Sequence, residues 1–383
     1  MVRASAPGKC ILFGEHAVVY GEPAVAVAID QRVTISMKTH QKPGATWKLE
    51  GLPFIAEKHP HLEGLRKRLW HLSDQTPSLD ITINSELPSA AGLGSSAALS
   101  VAFSAALRAA RGRRVDDQGW CEGFSSELKT DPYKEPRRGH EAGFIRNGGR
   151  RLLGKEAIDE DECAILAHAI EAEVQKGRAS PIDSSTVSHG GCTLLSDDFE
   201  KGLDWRYSRR LSTPEGERKW EVHDVPVPQD DVWLVIGNTG KYSPTGKMVE
   251  RVASMLTAEP ERMIEIKTIG SIARRGADAL KKGDMETVGT CMTENHLLLR
   301  GLDVSSPELE NLVKAAASYS LGVKLTGAGG GGCMIALTRE PKQTAESIEL
   351  AGGRSIITSL GTSGVRIDDD DRVPFWTPGV ADS

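Results

Sequence analysis

The sequence predicts a two-domain protein built from both strands and helices. Its 383 residues are enough for two domains with well-filled cores. Strand-like and helix-like patterns occur in both halves, and a strongly apolar strand, Val232 to Ile236, opens the second half. Hydrophobic residues make up 39% and charged residues 26%, proportions typical of a soluble globular protein.

The overall charge and the cysteines argue against several classes of protein. The net charge of −6 disfavours a nucleic-acid binder that relies on overall charge. No apolar run approaches the roughly 20 residues of a membrane span, and Pro7 interrupts any signal-peptide core. The 6 cysteines form no C-x-x-C pair, which predicts reduced thiols in a cytoplasmic protein. We therefore expect neither a nucleic-acid nor a membrane partner.

Two short strands are predicted near the N-terminus, Cys10 to Phe13 and Ala24 to Ile29. Three ionisable residues, Lys9, Glu15 and His16, crowd around the first of them beside glycines. Surface charges at turns would explain any one of the three, but their crowding favours a functional role for the set. Strand and turn patterns continue over residues 31–49, and a helix is predicted after residue 60.

A glycine-rich turn follows the predicted strand Leu79 to Ser85 and precedes a predicted helix from Ala97 to about Arg111. Backbone N–H groups and the helix dipole at such a turn suit an anion, especially phosphate. Ser95 and Ser96 lie where a hydroxyl could cap the helix or reach a metal ion. This stretch predicts a phosphate site.

The same turn has other interpretations. It could be only a tight connection. Gly92, Gly94 and Ala97 also match G-x-G-x-x-A, with Asp116 about twenty residues further on. However, Pro88 and several small residues make the turn longer than a Rossmann turn, and no Lys follows the glycines as in a Walker P-loop.

Charges, glycines and prolines without periodicity fill residues 118–162, which predicts a long surface loop or inserted flap. Its arginines could attract phosphate, although a solvated insertion is the favoured interpretation. These arginines are Arg137, Arg138, Arg146, Arg150 and Arg151.

The next segments carry acidic residues in informative positions. A helix is predicted from Glu162 to Gln175, and Glu171 and Glu173 near its C-terminus oppose the helix dipole. That arrangement indicates a function for one of them, or a salt bridge. Asp183 follows a proline and precedes a Ser/Thr run, a pattern that favours a helix N-cap.

The polar stretch 199–230 is predicted to join or decorate the two domains. After it, a loop over residues 237–248 ends in a helix. Helical patterns then cover Val249 to Leu256, Pro260 to Lys281, Met285 to Leu299 and Pro307 to Leu321.

A second glycine-rich segment, Gly327 to Gly332, lies between a predicted helix and the predicted strand Cys333 to Leu337. Such a run costs chain entropy, so it indicates close approach of the backbone to a ligand or to another loop. The last strand pattern runs from about Ser355 to Ile367, and a frayed tail is expected after it.

Three motifs in fixed order, Ala6 to His16, Pro88 to Ala98 and Lys324 to Cys333, closely resemble the GHMP small-molecule kinases. Within that superfamily, Gly14 to Gly21 and Ser180 to Gly191 are most similar to the mevalonate kinase family, particularly its archaeal type. The sugar-reading Glu-His-Thr-Asp run of galactokinases is absent. The similarity departs in the insertion, about residues 121–160, and in the polar stretch before residue 232.

This resemblance implies an α+β two-domain GHMP kinase fold. A ribosomal-protein-S5-like domain would cover residues 1–205, with the insertion at about 121–160, and a ferredoxin-like domain would cover residues 206–383. ATP and mevalonate would bind in the cleft between them, and the γ-phosphoryl group would pass to the 5-hydroxyl of mevalonate in the mevalonate pathway of isoprenoid biosynthesis. The alternative is another GHMP kinase, such as phosphomevalonate kinase. The resemblance also implies a cytoplasmic homodimer.

The resemblance further implies roles for individual residues. Asp183 and Lys9 would be catalytic, and Glu15 and His16 would lie near mevalonate. The ATP-binding turn would consist of Pro88, Ala91, Gly92, Leu93, Gly94, Ser95, Ser96 and Ala97. Mg²⁺ would be held by Ser96 and Glu171, with Glu173 as the fallback. The glycine loop that approaches substrate and phosphates would include Gly327, Gly329, Gly330 and Gly331, and Ser243 and Thr245 would be weaker candidates for polar contacts.

Overall fold

The computed structural model describes residues 1–43, 46–69, 77–88, 91–110, 145–146, 152–153, 158–175, 179–213, 216–227 and 231–369. Most of the predicted insertion, including the side chains of its arginines, lies outside these residues. Residue 116 and the predicted frayed tail beyond residue 369 also lie outside them.

The strands are β1 Val2–Phe13, β2 Ala24–Pro43, β3 Trp47–Leu49, β4 Leu52–Pro53, β5 Pro77–Ser85, β6 Ile145–Arg146, β7 Leu152–Leu153, β8 Ile158–Asp159, β9 Cys192–Ser196, β10 Asp204–Thr213, β11 Gly216–Asp224, β12 Trp233–Asn238, β13 Gly322–Thr326, β14 Cys333–Thr338, β15 Arg354–Ser359 and β16 Arg366–Asp369. The α-helices are α1 Pro60–Leu69, α2 Ser95–Ala110, α3 Glu160–Val174, α4 Ile182–His189, α5 Thr245–Ala258, α6 Met263–Lys282, α7 Met285–Gly301, α8 Pro307–Ala316 and α9 Pro341–Leu350. Short 3-10 helices cover Ala17–Tyr20, Ala56–Lys58, Pro260–Arg262 and Ala317–Tyr319.

The first sheet has the order β4-β3-β5-β2-β9-β11-β10-β6, and β1 lies between β2 and β16. Helix α2 packs on β1 and β2, with α1, α3 and α4 beside it. Alanines make up much of α2 and are almost completely buried, so the helix lies close to the sheet. The start of α2 is thereby fixed next to Lys9 of β1.

The second sheet has the order β13-β14-β12-β15, with every neighbouring pair antiparallel. Helices between β12 and β13, and α9 between β14 and β15, complete a βαββαβ arrangement, which is the ferredoxin-like order. The predicted α+β two-domain fold is therefore confirmed. Helix α6 reaches the first domain, where a Cβ on Gly276 would lie 2.3 Å from Cε2 of Phe13.

The first strand is longer than predicted. It begins at Val2 and runs through Pro7, which was expected to interrupt the N-terminal segment. The register of β1 against β2 shifts between Pro7 and Gly8. An irregularity of this kind accommodates a residue without an N–H group inside a paired strand.

The prediction that residues 199–230 join or decorate the domains is wrong, because β10 and β11 form a hairpin of the first sheet. Tyr207, Arg209 and Leu211 point inward at alternate positions, and the charged Arg209 hides the period-two apolar pattern of a strand. The predicted domain boundary at residues 205/206 therefore falls inside β10. A domain boundary between β11 and β12 agrees better with the sheets to which these two strands belong.

Three further differences lie in the C-terminal half. The helical pattern to Leu321 ends instead at α8, and β13 follows, so the glycine run joins two antiparallel strands rather than a helix and a strand. The last strand pattern divides into β15 and β16, which belong to different sheets. Helix α9 was not predicted.

Among the residues with assigned positions, no helix is long and apolar enough to cross a membrane. Five cysteines of this part of the chain are buried free thiols: Cys10, Cys163, Cys192, Cys291 and Cys333.

Candidate active site

The turn between β5 and α2 contains two glycines in the left-handed conformation, Gly92 with φ 82° and Gly94 with φ 74°. Gly94 precedes α2 directly, and its carbonyl accepts a hydrogen bond from Ala98 N at 2.9 Å. Ser95 and Ser96 are therefore the first helical residues, not the cap, and Ser96 is exposed. The exposed Ser96 hydroxyl is free to face a ligand at the helix N-terminus.

Lys9 of β1 lies across this turn. Its backbone N–H donates to the carbonyl of Leu93 at 3.0 Å. A Cβ on Gly94 would lie 2.9 Å from Lys9 Cγ, so a side chain there would displace the lysine. Gly94 therefore leaves room for the Lys9 side chain and also keeps the backbone of the turn accessible.

Lys9 forms an ion pair with Asp183, with 3.0 Å between Nζ and Oδ1. The lysine side chain is 3% exposed and the aspartate side chain 26% exposed, so the aspartate is the solvent-facing member of the pair. The predicted N-cap role of Asp183 is wrong. Pro181 holds the cap position of α4 without a side-chain hydrogen bond, and Asp183 lies in the first turn. The carboxylate is consequently available to Lys9.

Glu171 near the end of α3 faces the same pair. Its pKa is raised to about 8, because burial and the charge of Asp183 disfavour its carboxylate, and Lys9 only partly opposes them. Glu173, the fallback metal ligand, instead pairs with Arg68 at 3.0 Å on the side of α1. Only Glu171 of the two therefore shares the electrostatic environment of Lys9 and Asp183.

The glycine loop between β13 and β14 packs its backbone against other backbones, as expected for such a run. A Cβ on Gly327 would lie 3.4 Å from Gly92 Cα, which brings the two glycine turns into contact. A Cβ on Gly329 would lie 2.0 Å from the carbonyl oxygen of Val304, and one on Gly332 2.9 Å from that of Ala91. A side chain at Gly332 would press on the first glycine turn, and one at Gly329 would press on the segment after α7.

The loop before α5 supports the glycine loop from the other side. Ser243 is buried, and its hydroxyl donates to the carbonyl of Gly329 at 2.9 Å. Gly332 N donates to the carbonyl of Lys241 at 2.9 Å. Thr245 is exposed at the start of α5. Ser243 thus supports the loop structurally, and its predicted polar contact in the cleft stays a prediction.

Glu15 and His16 both contact the β13 region. The Glu15 carboxylate pairs with Lys324 Nζ, and the two residues are 2% and 0% exposed. Burial raises the pKa of Glu15 and lowers that of Lys324, while each charge opposes the shift of the other. His16 Nε2 donates to the carbonyl of Ala328 at 2.9 Å, and burial lowers its pKa.

The Glu15 carboxylate is enclosed and paired with Lys324, and its second oxygen, Oε2, has no hydrogen-bond partner among the described residues, so its predicted place near mevalonate stays a prediction. The pair joins the turn after β1 to the strand before the glycine loop. Glu15 is therefore part of the wall that positions the site. His16, which is 6% exposed, lies at the edge of the same wall.

Sequence reasoning missed several buried polar residues that hold these segments together. Asn295 Oδ1 accepts from Gly14 N at 3.2 Å, and His296 Nδ1 accepts from Leu325 N at 3.3 Å. The Thr326 hydroxyl accepts from Ile11 N at 2.9 Å. Asn295 and His296 lie on the inward face of α7. Polar residues on the apolar face of a predicted helix are the sequence signal that could have indicated such buried hydrogen bonds.

The oxygen-bearing side chains of Ser96 and Glu171 fit a divalent cation whose coordination is completed by another ligand. Within the described ranges, no three His, Cys, Asp or Glu side chains are grouped as a full protein metal site. Mg²⁺ commonly takes one or two protein oxygens together with phosphate and water. The exposed Ser96 hydroxyl and the Glu171 carboxyl, whose charge is only partly compensated by Lys9 and by a hydrogen bond from Gln175 at 3.0 Å, are oxygens of that kind.

Two family models match the chain. The model described as "GHMP kinases N terminal domain" matches residues 62–128, and the model described as "GHMP kinases C terminal" matches residues 277–355.

Full-length relatives give a finer comparison. The mevalonate kinase of Pyrococcus furiosus is 30% identical over 96% of this chain and 98% of its own length. That of Methanothermobacter thermautotrophicus is 32% identical over 87% and 89% of the two chains. The crystal structure of L. major mevalonate kinase in complex with R-mevalonate has a TM-score of 0.64 at 23% identity, covering 94% of this chain and 96% of that one.

Proposed function

The chain belongs to the mevalonate kinase family of the GHMP kinases, and from this membership we propose that it transfers the γ-phosphoryl group of ATP to the 5-hydroxyl of mevalonate. The product, 5-phosphomevalonate, belongs to the mevalonate pathway of isoprenoid biosynthesis. One observation carries the proposal for this chain. The Lys9–Asp183 ion pair lies directly against the first of two touching glycine turns.

The glycine turn and the start of α2 bind the ATP phosphates in this account. Backbone N–H groups at a helix N-terminus carry partial positive charge and attract phosphate. The turn consists of Pro88, Ala91, Gly92, Leu93, Gly94, Ser95, Ser96 and Ala97. The contact of Gly327 with Gly92 brings the second glycine loop, including Gly329, Gly330 and Gly331, to the same place.

Asp183 orients the 5-hydroxyl for in-line attack and accepts its proton as the O–P bond forms. Phosphoryl transfer depends mainly on positioning and charge neutralisation, so partial deprotonation is sufficient. Lys9 holds the carboxylate in place at 3.0 Å and stabilises the negative charge that develops on the attacking oxygen. His16 contacts mevalonate at the edge of the site, and Glu15 positions that edge through Lys324.

Ser96 and Glu171 hold Mg²⁺ together with the ATP phosphates. The ion supplies neutralisation of phosphate charge when bound. The raised pKa of Glu171 supports this role, since a carboxyl with too little positive charge around it gains most from a cation.

Phosphomevalonate is the alternative substrate. Of the described lysines in the wall of the site, Lys9 is paired with Asp183 and Lys324 with Glu15. A substrate with an additional phosphate would find both of these cations already neutralised, which favours mevalonate.

The remaining proposals concern the whole molecule. The domain that binds ATP runs through β11 and also includes β16, which pairs with β1 of the first sheet. The second domain begins at β12. The enzyme is a cytoplasmic homodimer, as its family resemblance implies.

A substrate panel tests the function. The purified chain with ATP and Mg²⁺ is supplied with mevalonate, phosphomevalonate, homoserine or galactose, and ADP release is followed. We expect turnover with mevalonate at a kcat/KM at least about 100-fold above the others. A preference for phosphomevalonate would establish the alternative.

Ser96→Ala is expected to weaken the Mg²⁺·ATP complex, because it removes the hydroxyl ligand and leaves the turn backbone intact. The Mg²⁺ concentration for half-maximal activity should rise about tenfold, in line with the loss of one weak metal contact. Ser271→Ala, which removes an exposed hydroxyl of α6 whose partner is the carbonyl of Lys267, provides the control, with the expected change below about twofold. Unchanged magnesium dependence in Ser96→Ala would remove Ser96 from the metal site.

The raised pKa of Glu171 predicts a pH-dependent magnesium requirement. Below its pKa of about 8 the carboxyl holds a proton that a cation must displace. Half-maximal Mg²⁺ should therefore fall by about fivefold as the pH rises from about 7 to 8, by about tenfold in total at about pH 9, and level off above that. Glu171→Gln should raise the magnesium requirement and abolish this pH dependence. The same slope in Glu171→Gln would contradict the assignment.

A further inference from the structure

Helix α4, which carries Asp183, buries mostly polar side chains. Of its eight residues, Ser184, Ser185, Thr186, Ser188 and His189 are buried. Ile182 and Val187 are its apolar residues. So short a helix has little stability of its own, and its apolar surface is small. Its position therefore depends on hydrogen bonds to neighbouring elements.

Two buried residues in series hold the segment that precedes α4: Arg209 of β10 bonds to His168 of α3, and His168 bonds to that segment. We call them the Arg209–His168 relay. Arg209 Nε donates to His168 Nδ1 at 3.1 Å. That bond makes Nε2 the protonated nitrogen, and Nε2 donates to the carbonyl of Ala179 at 3.1 Å. Arg209 and His168 are 1% and 0% exposed. Ala179 lies four residues before Asp183, so the relay fixes the chain just before the helix begins.

The body of α4 is held by a second residue of β10. The Tyr207 hydroxyl lies 2.8 Å from Ser185 Oγ, two residues beyond Asp183. At the C-terminal end, His189 Nε2 lies 2.7 Å from Asp161 Oδ1 of α3. These bonds leave the helix little freedom to rotate or slide relative to Lys9.

We propose that Tyr207 and the Arg209–His168 relay are positioning residues for phosphoryl transfer: they fix α4 so that the Asp183 carboxylate stays at Lys9. The inference rests on the proposed function of Asp183. The hydrogen bonds of the three reach the chain before α4 and Ser185 of its first turns, so they act on Asp183 through the helix. A displacement of about 1 Å at a reacting group can lower a rate by about 100-fold, so an error in the position of α4 affects turnover more than binding.

Tyr207→Phe tests the proposal, since it removes the hydroxyl and keeps the buried ring. We expect kcat to fall about tenfold, with the KM values for ATP and mevalonate within about twofold. In an Asp183→Asn background the same change should alter the residual kcat less than about twofold, because the group being positioned no longer acts.

Two controls separate positioning from general stability. Ser208→Ala removes a neighbouring buried hydroxyl of β10 whose partner is Glu221, away from α4, and should leave kcat within about twofold. His168→Gln retains an N–H group that can reach Ala179, whereas His168→Leu does not. The Gln variant should retain more kcat than the Leu variant after both are checked for cooperative unfolding.

The outcomes are distinguishable. Equal losses from Tyr207→Phe in the native and Asp183→Asn backgrounds, or an unchanged kcat in the native one, would overturn the positioning role. Absence of turnover with mevalonate by the native chain would instead overturn the proposed function.

Discussion

Asp183→Asn is expected to lower kcat by about 10² to 10⁴, the usual contribution of a positioned general base. The asparagine has the same size and can still meet Lys9, but it cannot accept the proton of the attacking hydroxyl. The KM values should change little, and the free energy of unfolding should fall by no more than about 1–2 kcal/mol, because the asparagine carbonyl can still accept a hydrogen bond from the buried Lys9 although it no longer neutralises it. Steady-state kinetics and urea unfolding measure both quantities.

Glu173→Gln is the matched control for Asp183→Asn. Glu173 lies near the end of α3, two residues from Glu171, but pairs with Arg68 away from Lys9. Its neutralisation should leave kcat within about twofold, because the half-exposed Glu173 carboxylate pairs with Arg68 rather than with Lys9. Turnover by Asp183→Asn within tenfold of the native enzyme would remove Asp183 from the mechanism.

Lys324→Met is expected to give the largest loss of stability, about 3 kcal/mol or more in the free energy of unfolding. It leaves the enclosed Glu15 carboxyl without its cation, and breaking one side of a buried ion pair typically costs about 3–5 kcal/mol. The raised pKa of Glu15 places the expected cost at the lower end, because the carboxyl can take up a proton. Urea unfolding at neutral pH measures the change.

Two companion variants check this explanation. Adding Glu15→Gln to Lys324→Met should recover part of the lost stability, since the unpaired acid is removed. Lys282→Met breaks the exposed pair with Asp278 and should cost less than about 1 kcal/mol. A loss for Lys324→Met no larger than that for Lys282→Met would show that the buried pair does not join the two domains.

The local patterns predicted the elements around the phosphate turn well. Leu79 to Ser85 alternates clearly and forms most of β5, and the alanine-rich stretch after Gly94 forms α2. Both are strongly periodic segments whose burial on one side dominates their conformation. The glycines of the two loops were predicted to allow close backbone approach, and Gly92 and Gly327 do meet.

Long-range pairing was harder to predict. The hairpin of β10 and β11 contains Arg209, which is buried because His168, distant in sequence, accepts its hydrogen bond. Similarly, Glu15 is enclosed because Lys324 of the other domain neutralises it. A single sequence does not reveal such partners, so a buried charge is interpreted as a surface or ligand contact. Asp183 illustrates the same difficulty locally, since Lys9 rather than the helix N-terminus takes its carboxylate.

The position of the phosphate on the product tests the central claim most directly. The purified chain is incubated with ATP, Mg²⁺ and mevalonate, and the product is examined by proton-coupled ³¹P NMR. We predict a phosphorus signal split by the two protons of the C5 methylene group, as required for 5-phosphomevalonate. An unsplit signal from phosphate on the tertiary 3-hydroxyl, or no phosphorylated mevalonate at all, would contradict the account.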